Sequence, residues 1–333
     1  MKKLIFAIVM TVSGIFCGAA AQRQQADPVA PAFLKPGDKV AILSLSSKAK
    51  PGTIEAGTEV FRRWGYEVVV GEHAHGEWRT FAATHEDRAA DLLKALRDPE
   101  VKAIISSRGG YGSANVLALI PIDTLRKYPK WIIGYSDITG YLSAEVRAGN
   151  MAIHSNMCGA LKKYGGTDYA SETLRNILEG KAMPSYDLPG NKWNQPGEAS
   201  GIVVGGNMCV YSDLAATPYD FLDPAFTDGR DIILFIEDVG EGLARIDRMI
   251  QLLRLRGILH QVKGIIVGRF TEYQTSRGYA DMNEMIHDNL KDLEIPVCYD
   301  FPVGHDESWN YPMVEGAKAT LTVTKDKVTL NYH

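Results

Sequence analysis

Two spacings of apolar residues alternate along this chain. Short runs rich in Val, Ile and Leu, at residues 40–45, 66–70, 101–106, 131–134 and 151–154, are bounded by glycine or polar turns and predict strands. Between them the apolar residues recur three and four apart, as at Ala89, Leu92, Leu93 and Leu96, giving a helix one face to lay on a sheet. Helices are expected at 54–64, 86–96, from Ser113 onward, and at 137–147. Strand and helix in strict alternation predict a doubly wound, mostly parallel α/β domain over residues 34–159.

The pattern then changes. Residues 160–198 hold a helix near 170–178 and a stretch rich in Pro, Gly, Asn and Lys, which reads as a connector. A second α/β domain is expected over 199–333, with strands at 201–207, 232–238 and 262–267 around a long helix at 241–256. Its end differs, because 320–323 and 328–331 alternate about a polar turn and predict a terminal β-hairpin.

The N-terminus is set aside from the fold. Met1-Lys2-Lys3, an apolar stretch and Ala19-Ala20-Ala21 predict a signal peptide over 1–21, cleaved after Ala21, and hence export to the periplasm. The apolar stretch is short and interrupted by Ser13, Gly14 and Gly18, so no stable membrane span is expected. Phe16 stands where lipoprotein signals carry a small residue, which argues against lipid anchoring at Cys17.

Charge and cysteine content exclude several classes of function. The 333 residues carry 36 basic and 40 acidic side chains, a formal net charge of −4, with no run of basic and aromatic residues, so nucleic acid is not an expected partner. Cys158, Cys209 and Cys298 are widely spaced without paired motifs, and read as packing residues. His73, His75 and His85 lie in a polar loop without a metal-ligand pattern, so no metal is expected.

The chemistry-bearing positions sit at the ends of apolar strands or in the loops after them, where open α/β sheets build their sites. Ser136 follows the 131–134 run at a break from strand to helix, a turn that can lift a hydroxyl clear of the sheet. Its bland alternative is a helix N-cap. Glu237 closes the 232–238 strand and His305 follows Val303-Gly304. Taken alone they are an ordinary strand-end carboxylate and a loop histidine. In chain order, serine, acid and histidine are the parts of a serine hydrolase: imidazole takes the hydroxyl proton and carboxylate holds the imidazole's tautomer. The turn Arg108-Gly109-Gly110-Tyr111-Gly112 follows the 101–106 strand with its N–H groups unshielded. It lacks the spacing of a dinucleotide fold and the lysine of a P-loop. A phosphate site is the weaker reading and an oxyanion hole from the backbone N–H groups of Gly110 and Asp137 the stronger; taken without the other residues, a glycine-rich helix entry explains the turn equally well.

In order and rough spacing, Arg108-Gly109-Gly110-Tyr111-Gly112, Gly134-Tyr135-Ser136-Asp137, Gly205-Gly206-Asn207, Ile236-Glu237-Asp238, Gly304-His305 and Glu315-Gly316-Ala317 resemble the serine L,D-carboxypeptidases. The resemblance covers nearly all the chain beyond the signal peptide. It implies a bacterial enzyme that trims terminal D-alanine from murein tetrapeptides, with muropeptide as its partner, usually as a homodimer and with no metal or organic cofactor. It also implies Ser136 as nucleophile, His305 as general base, Glu237 as its orienting partner, and Arg108, Gly109, Tyr111 and Asn207 as substrate-binding positions. The same superfamily includes immunity peptidases acting on microcin C-type peptide–nucleotide conjugates, which carry a tryptophan on a mobile loop comparable in position to Trp193. A serine amidase of such conjugates and a non-catalytic periplasmic peptide-binding protein are the alternatives. The chain departs from the family after His305, reading Asp306-Glu307-Ser308-Trp309-Asn310-Tyr311-Pro312, and after His154, reading Ser155-Asn156.

Overall fold

A computed structural model describes residues 26–275, 278–306 and 308–333. The signal peptide, its cleavage position and Cys17 lie outside the described residues. The first sheet uses β1 (Lys39–Leu43), β2 (Glu67–Val70), β3 (Val101–Ser106), β4 (Trp131–Gly134) and β5 (Ala152–His154), parallel in the order β5-β4-β3-β1-β2. Alternate residues of a strand face opposite sides, and both sides are covered. Val40 and Ile42 join Phe61 and Trp64 around the helix Thr53–Arg63, whereas Ala41 and Leu43 join Leu92 and Leu96 of the helix His85–Arg97. That is the doubly wound arrangement the spacing predicts.

The second sheet contains β6 (Ser185–Pro189), β7 (Gly197–Asn207), β8 (Ile232–Val239), β9 (Gly264–Thr271) and β10 (Val297–Cys298). One short strand, β11 (Met313–Glu315), belongs elsewhere: it adds antiparallel to β5, pairing Met313 with His154, and so completes the first sheet from the far end of the sequence. The terminal hairpin is β12 (Lys318–Val323) and β13 (Lys327–Tyr332), and the second sheet runs β10-β9-β8-β7-β12-β13-β6. The loop ahead of β7 reaches β10, since Gln195 and Val297 exchange backbone hydrogen bonds of 2.9 and 3.1 Å.

The stretch expected as a connector is more ordered than its composition suggests. Leu161, Leu174, Ile177 and Leu178, on the helices Cys158–Tyr164 and Tyr169–Leu178, pack into the first core, and β6 is an edge strand paired with β13. An edge strand tolerates the proline and polar residues that made this segment look irregular. Among the described residues no helix is long and apolar enough to cross a membrane.

Candidate active site

The turn after β4 holds Ser136 in a strained shape. All four residues of β4 are buried, and a side chain at Gly134 would come within 2.8 Å of Ile138, so the chain can double back closely only through glycine. Ser136 then takes φ 63°, the left-handed region, which costs a non-glycine residue roughly 1–2 kcal/mol. A 3₁₀ turn, Ser136–Ile138, leads into the helix Thr139–Ala148, and neither start carries a side-chain cap. Ser136 is therefore not an N-cap.

What holds the turn is the buried carboxylate of Asp137. It accepts from the Ser113 N–H at 2.8 Å, from Ser113 Oγ at 2.9 Å and from Ser46 Oγ, tying the turn to the loops after β1 and β3. The sequence offered Asp137 only as a backbone donor; nothing in its spacing signals that the side chain is the anchor.

The glycine turn after β3 lies directly against the serine. A Cβ at Gly109 would stand 2.7 Å from Ser136 Cβ and 2.9 Å from its Oγ, so any side chain there would displace the hydroxyl. Gly110 takes φ 114°, and among the described residues no acceptor is recorded for its N–H. The Asp137 N–H lies in the first turn of the 3₁₀ segment, where N–H groups have no intrahelical acceptor.

From the second domain, β8 delivers Glu237, wholly buried, and its Oε2 lies 2.7 Å from His305 Nδ1. The imidazole packs edge-on against Tyr135, the residue before Ser136, with ring centroids 5.0 Å apart. Burial alone would lower the His305 pKa, but the charge and hydrogen bond of Glu237 outweigh it and the net displacement is upward. The opposite ring nitrogen, Nε2, is buried with no hydrogen-bond partner among the described residues. Ser136 and His305 line one cavity of about 320 Å³ with Arg108, Gly109, Gly110 and Lys50. They are not hydrogen-bonded to each other here, a contact that commonly closes only around substrate.

A buried polar clasp fixes the histidine loop. Asn310 Oδ1 accepts from the Gly304 N–H at 3.1 Å and lies 3.3 Å from His154 Nε2, while Asn310 Nδ2 donates to Asn156 Oδ1 at 3.2 Å. Burial pushes the His154 pKa down to about 4, so the ring is neutral at working pH and can donate through Nε2. The two segments where the chain departs from the family it resembles, 155–156 and 306–312, thus meet through Asn156 and Asn310.

The remaining expected positions are placed differently. Tyr111 is exposed, its ring 5.6 Å from Phe81. Asn207 is buried and does not line the cavity: its Oδ1 caps the helix Met208–Asp213 and its amide donates to Asp238 at 3.0 Å. Trp193 packs on His287, ring centroids 5.0 Å apart, outside the cavity. His73 pairs with Asp91 at 3.0 Å and His85 with Arg88, so the polar-loop histidines serve local structure. Lys50, which carries no motif, was not foreseen as a cavity residue.

Residues 40–155 match the model of the LD-carboxypeptidase N-terminal domain, and residues 200–321 that of the LD-carboxypeptidase C-terminal domain. A putative carboxypeptidase of Synechocystis sp. is 37% identical over 87% of this chain and 93% of its own length. The microcin C7 self-immunity protein of Escherichia coli is 26% identical over 84% of this chain and 89% of its own. The crystal structure of muramoyltetrapeptide carboxypeptidase from Oxalobacter formigenes matches with a TM-score of 0.76 at 28% identity, covering 88% of this chain and 98% of that one.

Proposed function

The chain belongs to the LD-carboxypeptidase family and is a serine peptidase; from that premise we propose that it releases terminal D-alanine from murein tetrapeptides, with Ser136, His305 and Glu237 as its triad. The observation that carries the reading is the 2.7 Å contact of Glu237 with His305 Nδ1, which leaves Nε2 as the unpartnered nitrogen of a ring that lines one cavity with Ser136.

In this mechanism Ser136 Oγ bonds to the carbonyl carbon of the scissile amide while its proton passes to His305 Nε2. Glu237 keeps the proton on Nδ1 and stabilises the imidazolium. The carbonyl oxygen becomes negative beside the N–H groups of Gly110 and Asp137. The C–N bond then breaks, His305 protonates the leaving amine, and D-alanine departs. Water attacks the ester, giving its proton to His305; the ester bond to Ser136 breaks, and the proton returns to Oγ. A carboxypeptidase must also recognise a free carboxylate, and Arg108 and Lys50 are the cations of the cavity wall.

The deciding experiment incubates purified protein with disaccharide tetrapeptide and weighs the products. Loss of one alanine is expected; an intact tetrapeptide, with a peptide–nucleotide conjugate cleaved in a parallel tube, would replace the substrate while keeping the chemistry. Intact substrates with tight muropeptide binding would favour the peptide-binding alternative. The finer reading is a periplasmic homodimer. N-terminal sequencing and light scattering of protein from the periplasmic fraction should give a chain starting at Gln22 with twice the monomer mass; a retained Met1 or a monomer would contradict it.

A further inference from the structure

A second cavity, also about 320 Å³, is walled by Trp309, Arg269, Asn191, Asp300 and Phe301, and shares no lining residue with the cavity around Ser136. The two are joined by the chain itself. His305 lines one and Trp309 the other, and four residues span at most about 14 Å.

Trp309 is 46% exposed, yet contacts to Asp306 and Arg269 fix its place. Its N–H donates to the Asp306 carbonyl at 2.8 Å, the Asp306 carboxylate pairs with Arg269 at 2.8 Å, and the Arg269 guanidinium lies 5.4 Å from the indole centroid. A fixed, half-exposed indole gains little from burial, so its place on a cavity wall is that of a stacking platform. On the same wall Asp300 accepts from Asn191 at 2.5 Å and, at its other oxygen, from Asn283 at 2.8 Å, which places a carboxylate and the Asn191 amide beside the indole.

A flat aromatic next to carboxylate and amide groups suits a pyranose, which has an apolar C–H face and a rim of hydroxyl and acetamido groups. A nucleotide would also stack, but its phosphate would meet Asp300 and Asp306, and the nearby cation Arg269 is already paired with Asp306. A neutral ring is favoured. We propose that the Trp309 cavity binds the muramoyl sugar at the amino end of the stem peptide. The inference rests on the murein reading above; the three residues between sugar and scissile bond extend about 10 Å, within the ceiling of about 14 Å that the segment from His305 to Trp309 sets.

The test compares free stem tetrapeptide with N-acetylmuramoyl tetrapeptide on wild type, Trp309→Ala and Trp309→Phe. Wild type should favour the sugar-bearing substrate, and Trp309→Ala should raise its KM by roughly three- to tenfold at unchanged kcat, leaving the free peptide unaffected. Trp309→Phe, which keeps a platform, should recover part of the loss. Equal effects on both substrates, or none on either, would overturn the proposal. If wild type cleaves neither substrate, the murein reading itself fails, and binding of N-acetylmuramoyl dipeptide, followed by tryptophan fluorescence in wild type and Trp309→Phe, still decides the cavity: saturable quenching weakened in the variant supports it, and no quenching refutes it.

Discussion

Ser136→Ala is expected to lower kcat for alanine release by a factor on the order of a thousand or more while leaving substrate affinity nearly intact. The hydroxyl supplies the bond that splits one difficult hydrolysis into two easier steps, whereas the oxyanion donors and the Arg108–Lys50 wall remain in place. The left-handed backbone at this position adds a second expectation. Glycine carries no penalty at φ 63°, so Ser136→Gly should be as inactive as the alanine variant yet more stable by about 1 kcal/mol, read as a raised thermal midpoint. An alanine variant of near-normal activity would remove the serine mechanism, and a glycine variant without added stability would show that the strain is relieved elsewhere.

Glu237→Gln is expected to cost about three to four orders of magnitude in kcat, because an amide can present its N–H to Nδ1 and leave the ring in the wrong tautomer. The pH profile carries the sign. His305 acts as base only when neutral, and Glu237 displaces its pKa upward, so activity in the native enzyme should fall on acidification at a pH above the ordinary histidine value. Without the carboxylate that limb should move to lower pH. Stability runs the other way: a histidine whose pKa is raised by folding contributes stability fully below its unfolded pKa, and loses it as pH rises through the folded value. The wild type should therefore gain activity and lose a little stability over one pH interval, and Glu237→Gln should do neither there. Identical acid limbs in the two proteins would mean that Glu237 does not govern the imidazole.

The apolar runs located β1, β3, β4, β7 and β8 to within a few residues, because a strand covered on both faces must be almost wholly apolar. Ser136, Glu237 and His305 could be picked out as candidates for the related reason that open α/β sheets build sites at strand ends and in the loops after strands. What escaped were features decided by partners distant in sequence. Nothing local distinguishes Met313–Glu315 as a strand of the first sheet; its identity comes from the open edge of β5. Asp137 looked like a donor because its three acceptor contacts come from Ser46 and Ser113, on other loops. His154 and Asn310 lie 156 positions apart and become one polar unit only when β11 docks.

That docking has a consequence for the life of the molecule. During synthesis the first sheet can collapse early, since its five parallel strands are contiguous, but its outermost edge must wait for residues 313–315 and for the histidine loop just ahead of them. A nascent or clipped polypeptide lacking residues 313–333 would have Ser136, Glu237 and His305 but not the strand that docks the histidine loop on β5. Completion of the first sheet and registration of the histidine loop beside Ser136 are thus a single late event, set by the pairing of residues 313–315 with β5.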